Sequence, residues 1–151
     1  MSIGENALIH PKCEILAWGG PIDIGANTII EERVRIISDP GANGGNGMVI
    51  SIGANNLIEV GAVVQAAVVG DCNVIECKAV LPFGSTVGNG CVVGPAVTLA
   101  NGQNVPDGTV VYGSERATRK DDSLAEKHKQ EQQIRLGVLR PILEKAHKRI
   151  T

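Results

Sequence analysis

An aliphatic residue recurs at every sixth position through most of this chain. From Val69 the beat runs through Ile75, Leu81, Val87, Val93, Leu99, Val105 and Val111 without a miss. The same unit appears upstream at Ile3, Ile9 and Ile15, at Ile24, Ile30 and Ile36, and at Ile52, Ile58 and Val64. A period of six fits neither a helix, with its 3.6-residue turn, nor a strand, with its period of two. Seventeen such units mark a repeat architecture, in which each unit buries its apolar residue against its neighbours.

One short strand and one turn per hexapeptide, three hexapeptides to a coil, give a triangular prism repeating about every 18 residues. Each aliphatic residue then stacks on its counterpart in the next coil, about 4.8 Å above, through parallel pairing. Four residues after many of them stands a small or short polar residue: Ala7, Cys13, Thr28, Ala62, Ala79, Ser85, Cys91, Thr109. These slots point inward where the prism is too narrow for bulk. Asn27, Asn55 and Asn89 suit turns that need positive φ, and nineteen glycines agree with many tight turns. One Trp, one Tyr and one Phe cannot build a core, so the aliphatic stacks must. The expected fold is an all-β parallel β-helix of about six coils with a C-terminal α-helix. The beat resembles that of the hexapeptide-repeat, left-handed parallel β-helix proteins, and the left hand is implied by that resemblance alone.

Sorting the units onto three faces, named C, A and B in chain order, gives coils 3/9/15, 24/30/36, 52/58/64, 69/75/81, 87/93/99 and a partial coil 105/111. Every departure from a spacing of six falls at the corner from B to C: nine residues after Ile15, sixteen after Ile36, five after Val64. One corner therefore takes the insertions. The largest, at 38–49, is rich in glycine and asparagine and predicts a protruding loop. Residues 1–113 are thus read as the prism and 114–151 as a linker and helical segment.

The residue before each face-A aliphatic points outward, and there the chain has Leu8, Ile29, Leu57, Val74, Val92 and Val110. On face B the equivalents are Glu14, Arg35, Val63, Val80 and Thr98; on face C they are Ser2, Asp23, Ser51, Val68, Thr86 and Asn104. β-Branched residues favour strands whatever they face, which accounts for Val63, Val68 and Val80. An unbroken six-coil stripe asks for more: face A is expected to be covered, as a protein-interaction or helix-docking face.

A cover is available in the same chain. After Gly113 the beat stops, and DDSLAEKHKQEQQIRLGVLRPILEKAHKRI carries helix formers, an Asp/Ser start signal and a stripe of Leu139, Ile142, Leu143, Ala146 and Ile150 at helical spacing. Pro141 predicts a kink or a second helix. Residues 1–112 hold 4 Lys/Arg against 10 Asp/Glu, a net of −6, and residues 113–151 hold 10 against 6, a net of +4. A basic helix along an acidic prism follows from that segregation. Nucleic-acid binding by the tail is disfavoured because its cations are interleaved with acids.

Glu31, Glu59 and Glu76 fall at one register, directly after successive face-A aliphatics. Carboxylates stacked one coil apart repel unless solvated or paired. Two readings stand: corner residues in water helped by Arg33 and Lys78, or an acidic edge that receives Lys or Arg from the tail helix or another subunit.

Enzyme chemistry finds few residues to use. A zinc hydratase of carbonic-anhydrase type needs three histidines converging on the metal, and the prism contains only His10, with His128 and His147 in the tail. Cys13 and Cys91 occupy inward slots, Cys72 and Cys77 stand at corners, and no two form a C-x-x-C pair. An acyltransferase would need a histidine base beside a cleft, and His10 next to Pro11 reads as a surface corner. No cofactor or metal site is expected. Nor does any run approach the roughly 18 apolar residues of a membrane span, and no signal segment opens the chain. The cysteine usage fits a reduced, cytoplasmic protein. The alternative kept open is a homotrimeric hexapeptide enzyme, of acyltransferase or carbonic-anhydrase type.

IHPK at 9–12, GPIDIGANTIIEE at 20–32, MVISIGANNLIEVGA at 48–62, GDCNVIECKA at 70–79 and VVYG at 110–113 resemble the smaller hexapeptide-repeat subunits of the dynactin pointed-end complex. The likeness covers most of residues 8–113. It implies a non-catalytic scaffold or adaptor in microtubule-based transport, associated with the cytoskeleton and supporting attachment of dynein to cargo. The partners it implies are a second hexapeptide-repeat subunit, a large zinc-containing subunit and a pointed-end actin-related protein. Members of that family begin about one coil earlier than this chain, so an open strand edge is expected at its first coil.

Overall fold

The structure, a computed structural model, describes residues 1–38 and 49–150, with side chains to Ile142. The insertion read at 38–49 lies outside the described residues except for Ser38, buried at a strand end, and the exposed Val49.

Short parallel strands stack into three sheets, and the sheets are the three faces. Face C joins six strands, with Ile3 on Ile24, Ile24 on Ile52, Ile52 on Val69, Val69 on Val87 and Val87 on Val105. Face A stacks Ile9, Ile30, Ile58, Ile75, Val93 and Val111 in the same way. Face B stacks Ile15, Ile36, Val64 and Leu81, and a lone bridge from Val80 to Thr98 extends it to the fifth coil. The register is the one that the spacing requires.

From Ile24 to Val111 the stacked aliphatics are at most 2% exposed and form one continuous core. Each contributes roughly 1.5–3 kcal/mol by leaving water. Ile3 in the first coil is 46% exposed, because its strand is the edge of face C and no described strand stacks beneath it. The inward short polar slots pair along the axis. Asn56 Oδ1 accepts the Asn73 N–H at 2.8 Å, and Asn73 Oδ1 accepts the Cys91 N–H at 2.7 Å. Their Nδ2 groups donate to the carbonyls of Gly70 and Gly88. A narrow apolar prism can hold these amides only because donor and acceptor are both used.

Between faces C and A the chain turns through left-handed residues Asn6, Asn27, Asn55 and Cys72, with φ of 58 to 61°. In the fifth coil this position is Gly90, at φ 64°, rather than Asn89 as the sequence suggested. Asn89 instead caps its neighbours: its Oδ1 accepts the Asp71 N–H, and its own N–H goes to Asp107 Oδ1, both at 2.7 Å. The glycine opening this corner is required by approach rather than by φ. A methyl on Gly25 would stand 2.4 Å from the Gly53 carbonyl carbon in the next coil.

The segment read as a linker contains a strand, Ala117–Lys120, that turns back antiparallel on Thr109–Tyr112 and becomes the edge of face A. Its Arg119 and Lys120 put charge on that edge, which discourages further pairing. The Asp121 N–H then bonds the Gly108 carbonyl at 2.7 Å, and Asp121 Oδ1 accepts both the N–H and the hydroxyl of Ser123. This cap starts helix α1 (Leu124–Ile150). The hydrogen bonds to Ser123 also hold the Asp121 carboxyl below its usual range. Helix α1 is unbroken through Pro141, although an interior proline costs about 3 kcal/mol. Of the two expected outcomes at Pro141, a second helix is not seen, since one helix runs from Leu124 to Ile150.

Candidate docking face

Helix α1 lies over the outward side of face A and runs against the direction of the coils. Near its start Ala125 presses on Gly90, leaving no room for a methyl there. His128 donates Nδ1–H to the Cys72 carbonyl at 2.8 Å, one coil lower. Gln132 donates to the carbonyls of Asn56 and Asn27, at 2.7 and 2.8 Å. Arg140 reaches Asn6 Oδ1 in the first coil. The match is metric: one helical turn rises 5.4 Å and one coil about 4.8 Å, so a new coil is met about once per helical turn.

The corner carbonyls explain why polar residues are buried here. His128 is 5% exposed and Gln132 is 0% exposed. Gln132 Oε1 in turn accepts from Arg135 Nη1 at 3.1 Å, so the buried amide is satisfied at both ends. Beside this polar row, Leu136 joins Ile29 and Leu57 in one buried cluster, with Leu8, Val74 and Leu139 packed against it. This part of the outward stripe thus shares one core with the chain's own helix. Val110 is also buried, with Arg119 as its partner on the edge strand, and Val92 is half-buried between Val74 and Val110.

The docking stripe of the helix differs from the expected one. Leu124, His128, Gln132, Leu136 and Leu139 face the prism, whereas Ile142 is 58% exposed. Leu143, Ala146 and Ile150 lie outside the described side chains. A count of apolar residues alone passed over His128 and Gln132, because their docking value lies in hydrogen bonds to corner carbonyls.

Glu31, Glu59 and Glu76 do stand in one column, each amide bonded to the carbonyl one coil on: Ile58, Ile75 and Val93. His10 heads the same column, its amide on the Ile30 carbonyl, and its Nε2 is buried with no partner. The sequence did not reveal that alignment, although Ile9–His10 repeats the Ile30–Glu31 spacing. All three glutamates are half-buried. Burial and then the Glu59 charge push Glu31 and Glu76 above the usual carboxylate range, with His10 and Arg135 pulling Glu31 back. Among the described residues no lysine or arginine lies within ion-pair distance of the three. Arg135 pairs instead with Glu131 at 3.3 Å.

No family model matches the chain. Curated relatives do. Dynactin subunit 6 of Danio rerio is 36% identical over 153 aligned residues, which take in 97% of this chain and 76% of that protein. The Xenopus tropicalis protein of the same name is 34% identical over 97% of this chain and 74% of its own length. The chain belongs to the dynactin subunit 6 family. The Nematostella vectensis member is 36% identical, and its match spans 63% of that longer protein.

Solved structures share the fold at lower identity. A hexapeptide-repeat acetyltransferase from Vibrio cholerae superposes with a TM-score of 0.65 at 21% identity, over 80% of this chain and 73% of that one. A hexapeptide transferase family protein from Anaplasma phagocytophilum gives 0.59 at 13% identity, over 89% and 92%. Those likenesses speak for the β-solenoid alone and carry no chemistry to this chain.

Proposed function

We propose that this chain is a non-catalytic scaffold subunit of dynactin, placed in the pointed-end complex and supporting attachment of dynein to cargo during microtubule-based transport in the cytoplasm. Its neighbours in that reading are a second hexapeptide-repeat subunit, the large zinc-containing subunit and the pointed-end actin-related protein. The observation that carries it is the 36% identity to a dynactin subunit across nearly the whole chain, prism and helix together. Ile29 and Leu57 of the stripe share a buried cluster with Leu136 of the chain's own helix, so in this reading partners dock away from that part of face A. The Glu31–Glu59–Glu76 column, with which no described cation pairs, is open to a lysine or arginine of a neighbouring subunit. The histidines agree with a scaffold: His128 gives its Nδ1–H to a carbonyl under the helix, and His10 heads a column of carboxylates.

The test is purification of the tagged chain from cells, with and without the second hexapeptide subunit. Recovery with the actin-related filament and the other pointed-end subunits is the expected result. A stable homotrimer that binds zinc or turns over acyl-CoA, and that leaves dynactin behind, would overturn the scaffold reading.

A further inference from the structure

Asparagine stands directly before glycine four times in this chain, at 43–44, 46–47, 89–90 and 101–102. The last two pairs lie among the described residues, at different corners of the fifth coil, and the fold treats them in opposite ways. Such a pair can react with itself, because glycine has no side chain to keep the preceding amide away from its nitrogen. Asn89–Gly90 is locked. Asn89 Oδ1 accepts the Asp71 N–H at 2.7 Å, and the Gly90 N–H donates to the Asp71 carbonyl at 3.0 Å. Gly90 is buried, and Ala125 of helix α1 sits over it. Asn101–Gly102 is open. Both residues are exposed, and a methyl on Gly102 would meet nothing within 4 Å. The Asn101 side chain has no hydrogen-bond partner among the described residues. The Gly102 N–H has one long bond, to the Phe83 carbonyl at 3.3 Å. The turn bond from the Gln103 N–H to the Ala100 carbonyl, at 3.0 Å, spans the pair without holding either reacting group.

We propose that Asn101 is a self-modification site, where the folded chain converts its own amide to aspartate and isoaspartate with water as co-reactant. The Gly102 nitrogen gives its proton to a solvent base and bonds to Asn101 Cγ. The Cγ–Nδ2 bond breaks, and ammonia leaves with a proton taken from water. Water then opens the resulting five-membered succinimide at one of its two carbonyls. Opening at Cγ gives aspartate. Opening at the main-chain carbonyl gives isoaspartate, whose backbone runs through Cβ and Cγ and is one carbon longer. One water enters for each ammonia lost, and nothing is oxidised or reduced. The fold has room for this product. Asn101 lies at the corner from B to C, which elsewhere takes spacings of nine and sixteen residues, so an extra backbone atom is absorbed between Leu99 and Val105. The new carboxylate adds one negative charge to a formal net of −2. An isoaspartyl carboxylate in an exposed turn is the substrate class of methyltransferases that use S-adenosylmethionine to begin repair of such links.

The experiment ages the purified full-length chain in mildly alkaline buffer, once folded and once in guanidinium chloride. Mass spectrometry then reads both sites in one tryptic peptide, 79–116. In the folded chain Asn101 should convert about tenfold faster than Asn89, whose reacting groups must first give up their hydrogen bonds; that factor corresponds to about 1.4 kcal/mol. In denaturant the two identical dipeptides should convert at like rates. An isoaspartate-specific methyltransferase with labelled S-adenosylmethionine should mark this peptide in the aged wild type. It should leave the peptide of Asn101→Gln unmarked, because the longer side chain closes its ring poorly. The aged wild type should melt like the fresh chain. Three results would overturn the proposal: folded Asn89 converting as fast as Asn101, the tenfold gap persisting in denaturant, or loss of the fold in step with conversion at Asn101.

Discussion

Gln132 and Asn56 are 76 residues apart in sequence, and the Gln132 side-chain amide donates to the Asn56 carbonyl at 2.7 Å. The same nitrogen reaches the Asn27 carbonyl of the coil below. One side chain therefore locks the helix to two successive coils.

Gln132→Ala should accordingly cost about 1–3 kcal/mol, since the Asn27 carbonyl loses the amide beneath the helix while the Asn56 carbonyl keeps the Ile29 N–H at 2.9 Å. A drop in the urea midpoint with faster proteolysis of the tail is the expected pair of readings. Gln132→Glu should be worse, because it sets a carboxylate against two carbonyl oxygens. If both variants melt like wild type, water serves those carbonyls as well as the amide does, and the lock is idle.

Two glycines separate close approach from backbone conformation. Gly25→Ala forces a methyl to within 2.4 Å of the Gly53 carbonyl carbon and should cost more than about 3 kcal/mol by spreading the coils. Gly102 has φ +73° but no atom within 4 Å of an added methyl, so Gly102→Ala should cost only about 1–2 kcal/mol. Thermal melts of the two variants decide the order. Equal losses would mean that the coils part easily and that contact distance is not what fixes Gly25.

The glutamate column gives a pH dependence. Glu31 and Glu76 are held above their ordinary value of 4.5, so the folded state favours their protonated forms. The stability this contributes is present below about pH 4.5 and is lost as pH rises through the folded values. A Glu31→Gln, Glu76→Gln chain lacks that loss. It should melt above wild type at pH 7, and the gap should close near pH 4. A double variant that melts below wild type at pH 7 would mean that the carboxylates are paired with cations rather than crowded together.

The prism was legible because its core uses one residue type at one period. Ile52 had to stack on Ile24 despite the long insertion between them, since every other gap left the corner in the same place. The apolar stripe on face A was legible for the same reason. The cover was harder to read. His128 and Gln132 have the chemistry of surface residues, and only the folded corners bring the carbonyls of Cys72, Asn27 and Asn56 within their reach. The strand Ala117–Lys120 carries no alternation of apolar and polar residues, because its sequence answers to the sheet edge rather than to a core. His10 joined the glutamate column unnoticed, since a column is a fact of register and not of residue type.

The direction of α1 has a consequence for synthesis. A ribosome delivers the coils in order from the first, and each new coil can settle on the one before it. The helix that covers face A is made after every described coil, and its farthest described contact, from Arg140 to Asn6, returns to the first of those coils. Leu8, Ile29 and Leu57 therefore stay bare on a nearly finished prism until translation has passed Arg140. During that interval a chaperone or a partner subunit has access to a surface that the mature protein never shows.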